Sequence, residues 1–206
     1  MKKKILTGLS IIVIAIIFVG FGFTKNVEIE KEYQRAMDRG IEAVKKMHYQ
    51  AAKIDFQDAL KRKPNDRTAK QNLNQLNFYI NAKKELKNKN YQQASAIFKQ
   101  VATQEHGINV LVRRATAYYT ELDEAEEELA VFKKHYQKAV DLSDEGNYSA
   151  SNHKLSLILE YRNIDQSYYD QIRTKAKQLK ESNDKNIPNE QSAPRKTKAP
   201  AEPEPK

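Results

Sequence analysis

The stretch that decides the fold is Tyr33–Asp66, YQRAMDRGIEAVKKMHYQAAKIDFQDALKRKPND. Six of its residues set a pattern: Gly40, Tyr49, Ala52, Phe56, Ala59 and Pro64. Gly40 is small enough to let two helices approach closely. Tyr49 opens the second helix, and Ala52, Phe56 and Ala59 follow at three- and four-residue intervals, so they share one face. Pro64-Asn65 closes the unit, because proline cannot continue a helix interior. The reading is a helix, a turn at Met47-His48, and a second helix packed back on the first.

The same offsets recur downstream. Tyr91, Ala94, Phe98 and Val101 reproduce the second helix, with Asn88-Lys89-Asn90 as the turn and Ala82 in place of Gly40. A weaker third copy reads Tyr148, Ser151, Leu155 and Ile158, with Asp144-Glu145-Gly146-Asn147 as the turn and Ala139 at the small position. The pattern resembles the tetratricopeptide (TPR) repeat, a helix–turn–helix unit with a period of roughly 34 residues. The match is best over 33–66, weaker over 75–104 and loosest over 132–161. The three tyrosines are 42 and then 57 residues apart. Either the connecting helices are longer than in the family, or an extra helix intervenes between the second and third units.

The remaining elements follow from local signals. Thr68 to Lys87 reads as one long helix with Asp66 as its N-cap. Ile108 to Leu142 holds neither glycine nor proline, and is one very long helix or two with a break near Thr120–Asp123. Asp165 to Glu181 reads as a closing helix. Between the N-terminal apolar run and the tail the chain has only three glycines and one proline, and no period-two alternation long enough for a strand. The expected fold is all-α: a TPR-like solenoid of about three helical hairpins over 27–181.

Flanking this body are two segments of different character. Residues 1–4 are basic, and an uncharged apolar run follows from Ile5 to Phe23. Its 19 residues are near the roughly 20 that a helix needs to cross a bilayer. The basic entry side places the N-terminus in the cytoplasm and the body outside it. We read 5–23 as a single-pass transmembrane signal-anchor; cleavage after Gly22, giving a secreted protein, is the alternative. At the other end, 182–206 holds five of the six prolines with Lys, Glu and Ala between them, a composition expected to be disordered. The Lys-, Asn- and Ile-rich composition is bacterial in character.

No residue set points to catalysis. The four histidines show no i, i+4 pair, and there is no H-E-x-x-H, calcium-loop, phosphate-loop or nucleophile-elbow signature. The acidic run Asp123–Glu128 fans around a helix and reads as a solvated face. With no cysteine, thiolate metal sites and disulfides are excluded. No enzyme activity, cofactor or metal is expected.

The resemblance instead implies a concave surface formed by the first helix of each hairpin. On it, Lys45, Tyr79, Lys83, Lys87, Lys133 and Tyr136 are the candidate partner-binding residues. Met37, Ile41, Val44 and Leu86 lie on the same faces but are expected to pack between helices. The lysine–asparagine clamp by which some family members hold a terminal carboxylate is not reproduced, since Met37 and Ile41 stand where polar residues are required. The expected function is a membrane-anchored extracytoplasmic scaffold that binds a protein or peptide of the cell envelope. The alternative is a binder of anionic wall polymer or lipid headgroups, drawing on the +6 that is left of the +9 net charge once Lys2–Lys4 are set aside and on the basic tail residues Arg195, Lys196 and Lys198. Nucleic acid is not an expected partner, because no aromatic–basic platform is present.

Overall fold

The computed structural model describes residues 25–192, with side chains to residue 187. The described residues are all-helical, without a strand. The elements are α1 (residues 25–45), α2 (Tyr49–Arg62), α3 (Arg67–Lys87), α4 (Tyr91–Ala102), α5 (Asn109–Asp144), α6 (Tyr148–Leu159), a 3-10 turn (Ser167–Tyr169) and α7 (Asp170–Ser192). The apolar run 5–23 lies outside the described residues. Among those described, no helix is long and apolar enough to cross a membrane.

The helical hairpin read from Tyr33–Asp66 is present. Tyr33, Ala36, Met37 and Val44 of α1 are buried, as are Ala52, Phe56 and Ala59 of α2. A Cβ built on Gly40 would stand 2.5 Å from Phe56 Cε1, so only glycine admits this approach. The α2–α3 turn is fixed by Asp66, whose carboxylate accepts the Ala69 N–H at 2.8 Å. Burial raises the pKa of that carboxyl. The Ala69 N–H, the Tyr33 hydroxyl and Lys63 outweigh burial and hold it below its ordinary value.

Three hairpin turns share one backbone geometry. In the first, the N–H of Met47 bonds Val44 O and that of His48 bonds Ala43 O. In the second, Lys89 bonds Leu86 O and Asn90 bonds Glu85 O; in the third, Gly146 bonds Ser143 O and Asn147 bonds Leu142 O. Each is a Schellman closure, with a left-handed residue two positions before the tyrosine that opens the next helix. The φ values there are 61° at Met47, 63° at Lys89 and 77° at Gly146. Tyr49, Tyr91 and Tyr148 then start α2, α4 and α6. The small positions opposite these helices, Ala82 and Ala139, are fully buried.

The chain divides into two compact units within α5, at Leu122/Asp123. In place of the single body expected over 27–181, each has its own core. The first unit gathers α1–α4 and the start of α5, where Leu111 and Ala115 are buried. An aromatic series links its helices: Tyr49 to Tyr79 at 5.2 Å, Tyr79 to Phe98 at 5.7 Å, and Phe98 stacked on Tyr118 at 4.8 Å. The second unit packs the rest of α5 with α6 and α7. Phe132, Ala139, Leu155, Ile158, Tyr169, Ile172 and Ala176 form its core.

Two expectations are resolved and one boundary is corrected. The stretch 108–142 is one helix, α5, so the wide spacing of the second and third tyrosines comes from helix length and not from an extra helix. The closing helix begins at Asp170 and runs to Ser192, past the boundary drawn at 181/182. The polar sequence there misled, because its contact with the core is itself polar. Asn183 is fully buried and donates to Ser151 Oγ at 2.8 Å and Asn152 Oδ1 at 2.9 Å, while accepting Ser143 Oγ at 2.6 Å. Ser151 in turn donates to Ala139 O at 2.6 Å. The tail beyond residue 192 lies outside the described residues.

Candidate functional site: a cleft at one end of the first unit

One concavity of the first unit is a cleft of about 480 Å³ where the ends of α1 and α3 meet α5. The first Schellman turn supplies Met47, and the start of α2 supplies Tyr49. Helix α3 contributes Tyr79 and Lys83, and α5 contributes Arg114, Ala117, Tyr118 and Glu121. The α5 residues are spaced i, i+3, i+4, i+7, so one helical stripe forms that wall.

Arg114 organises the cleft. Its guanidinium donates to Val44 O at 2.7 Å, Lys45 O at 2.8 Å and the Tyr49 hydroxyl at 3.2 Å. These carbonyls belong to the last turn of α1, which no intrahelical donor serves. A cation at a helix C-terminus also meets the negative end of the helix dipole. Arg114 therefore fixes α5 against the first hairpin. Lys83 does the same for α3 and α5: its ammonium donates to the Tyr118 hydroxyl at 2.7 Å and lies 4.3 Å from that ring's centre. Tyr79 sits beneath, 2% exposed, its hydroxyl pKa pushed up by burial and by the Tyr49 contact.

Of the six residues expected to meet a partner, Tyr79 and Lys83 line this cleft. Tyr79 is corrected from a contact surface to a core residue, because α5 covers the face of α3 from which it projects. Met37, Val44 and Leu76 are buried as well. Lys45 is exposed and pairs with Glu42 on its own helix. Lys87 is exposed in an adjoining shallow groove with Ile80, Lys84 and Leu86. Lys133 and Tyr136 belong to the second unit, where Lys133 is exposed and Tyr136 packs against the core.

Sequence reading missed Met47, Arg114 and Tyr118. Met47 is 64% exposed, a large apolar side chain held in the left-handed region, and it lines both this cleft and a neighbouring one with Ala51 and Ile80. Its position before Tyr49 could have marked it, since Gly146 occupies the corresponding place. Arg114 left no local signal, because its acceptors lie some 70 residues away. Among the described residues no cluster of His, Asp or Glu is placed to hold a metal ion.

No family model matches this sequence, and comparison with curated proteins and with solved structures finds no similar chain.

Proposed function

We propose that this protein is a membrane-anchored, extracytoplasmic scaffold of TPR-like hairpins, docking a protein partner at the Met47–Lys83–Tyr118 cleft. The observation that carries the reading is the triple recurrence of one hairpin turn. A Schellman closure, a left-handed residue and a helix-opening tyrosine appear at 47–49, 89–91 and 146–148. Repeated hairpins whose faces bury only against their neighbours build extended surfaces for partners rather than enclosed pockets for small molecules. The cleft has the make-up of such a surface. It combines an adaptable exposed methionine, a tyrosine hydroxyl and a lysine on a rigid three-helix support. The apolar run 5–23 supplies the anchor in this reading, and the +9 charge favours partners with acidic character.

The test uses exposed positions, so that binding and folding separate. Met47→Asp with Ala117→Glu places two carboxylates on the rim while the core side chains stay in place. The doubly substituted full-length chain is expected to retain its helical circular dichroism and lose at least tenfold in co-purified partner. Undiminished capture by a folded double variant would refute the cleft as the docking site.

A further inference from the structure

The segment 61–70, KRKPNDRTAK, carries five cations and one carboxylate. It forms the end of α2, the α2–α3 turn and the first turn of α3. Contacts within the first unit hold it against the start of α1. Lys63 pairs with Glu30 and lies 4.3 Å from the centre of the Tyr33 ring. Arg62 Nη1 is 3.1 Å from Glu32, and the Tyr33 hydroxyl donates to the Asp66 carboxylate. Lys61 pairs with Asp58 on its own helix. Arg67 and Lys70 are exposed and belong to no ion pair among the described residues. Both stand in the first turn of α3, which holds no acidic residue. Cations there oppose the helix dipole, so helix stability does not account for them.

We propose that the α2–α3 turn docks on the anionic headgroups of the membrane that the apolar run 5–23 enters. That run ends two residues before α1 begins, a span of at most about 7 Å. The α1 positions that hold the turn, Glu30 to Tyr33, lie about 8–12 Å along the helix axis from Lys25. The headgroup layer adds about 5–7 Å to each side of the hydrocarbon core. With 5–23 in the bilayer, the turn therefore stands close above that layer, and the Debye length of about 8 Å extends the pull of its charge further. Val27, 53% exposed near the start of α1, adds an apolar side chain at the same end. Each Lys or Arg brought to an anionic surface strengthens binding, and the attraction fades as salt screens it.

The docked turn orients the body. Helix α1 rises about 30 Å from Lys25 to Lys45. The Met47 cleft at its far end is thereby held away from the bilayer, open to a partner. This docking requires 5–23 to be the anchor of the proposed function, and it is independent of what the cleft binds.

The chain has no cysteine, so a single label can be placed at either end of the hairpin. Full-length Asn65→Cys, at the exposed tip of the turn, and Gln50→Cys, exposed at the opposite end of α2, each receive an environment-sensitive fluorophore. Both are incorporated into phosphatidylcholine vesicles with or without phosphatidylglycerol, each containing a headgroup-labelled quencher lipid. Quenching of the Asn65 label is expected to rise roughly twofold or more with phosphatidylglycerol, and that of the Gln50 label to stay unchanged. Arg67→Glu with Lys70→Glu should abolish the rise. Carboxylates in a first helical turn favour the helix, so the double variant keeps its thermal midpoint and what it loses is docking. Equal quenching in the two lipids, an equal rise at Gln50, or indifference to the double substitution would overturn the inference. So would uptake of soluble polyphosphate at the turn without lipid quenching, which assigns the surface to a free polyanion. A chain that does not incorporate into vesicles refutes the anchor and this docking with it, whereas an incorporated chain lacking the Asn65 rise refutes the docking alone.

Discussion

At the scale of single residues, the positions that matter most are those where backbone and side chain disagree. Met47 and Lys89 hold a left-handed conformation that costs a non-glycine residue about 1–2 kcal/mol, and Gly146 adopts it freely. Lys89→Gly is therefore expected to stabilise by about 0.5–1 kcal/mol, read as a rise in thermal midpoint, and Gly146→Ala to destabilise by about 1 kcal/mol. Gly40 behaves oppositely from the turn glycine, since its constraint is space. Gly40→Ala places a methyl inside the Phe56 ring contact and should cost about 1–3 kcal/mol. Asp66 gives a pH signature. Its folded-state pKa is depressed, so its contribution is present above the ordinary carboxylate value of 3.8 and is lost as pH falls through the lower folded value. Asp66→Ala should cost about 1 kcal/mol at neutral pH. Denaturant titrations of the wild-type and variant chains should converge only in acid, once pH has fallen through the depressed folded-state value of Asp66. A gap that persists into acid would show that the cap acts through packing alone.

At the scale of elements, apolar spacing made most of the helices legible from sequence. Tyr49, Tyr91 and Tyr148 are the first residues of α2, α4 and α6 in the structure, and Asp66 caps α3. Those readings rested on local chemistry, which is encoded within a few residues of where it acts. The end of α7 was not legible for the complementary reason. Asn183 is held by Ser143, Ser151 and Asn152, and a polar residue that buries itself through distant partners looks like a polar tail residue. A satisfied buried network is costly to break. Asn183→Ala, which leaves Ser143 without its acceptor and Ser151 without a donor, should destabilise the second unit by about 1–3 kcal/mol. Hydrogen exchange should report it as lost amide protection over the last turns of α7. Unchanged protection there would mean that the network does not hold the helix.

At the scale of the whole molecule, the hairpin recurrence was readable while the surface it builds was not. The sequence placed Tyr79 on an open concave face, because helical periodicity assigns a residue to a side without saying what covers that side. Here α5 covers it, drawn onto the first hairpin by Arg114 and onto α3 through Lys83 and Tyr118. What remains accessible is a short cleft whose most exposed apolar residue is Met47. Arg114→Ala should loosen that arrangement without touching the second unit. Residues of the first unit should exchange faster, and those around Phe132 and Tyr169 should be unaffected.

The most direct test of the scaffold reading is in-cell photo-crosslinking of the full-length chain. A photoreactive amino acid replaces Met47 in the cleft, or Gln93 on the exposed side of α4, and the adducts are identified by mass spectrometry. The account predicts a discrete protein adduct from Met47 that is absent from Gln93. Equal labelling from both positions, or no protein adduct from either, would contradict it and favour an anionic polymer as the ligand.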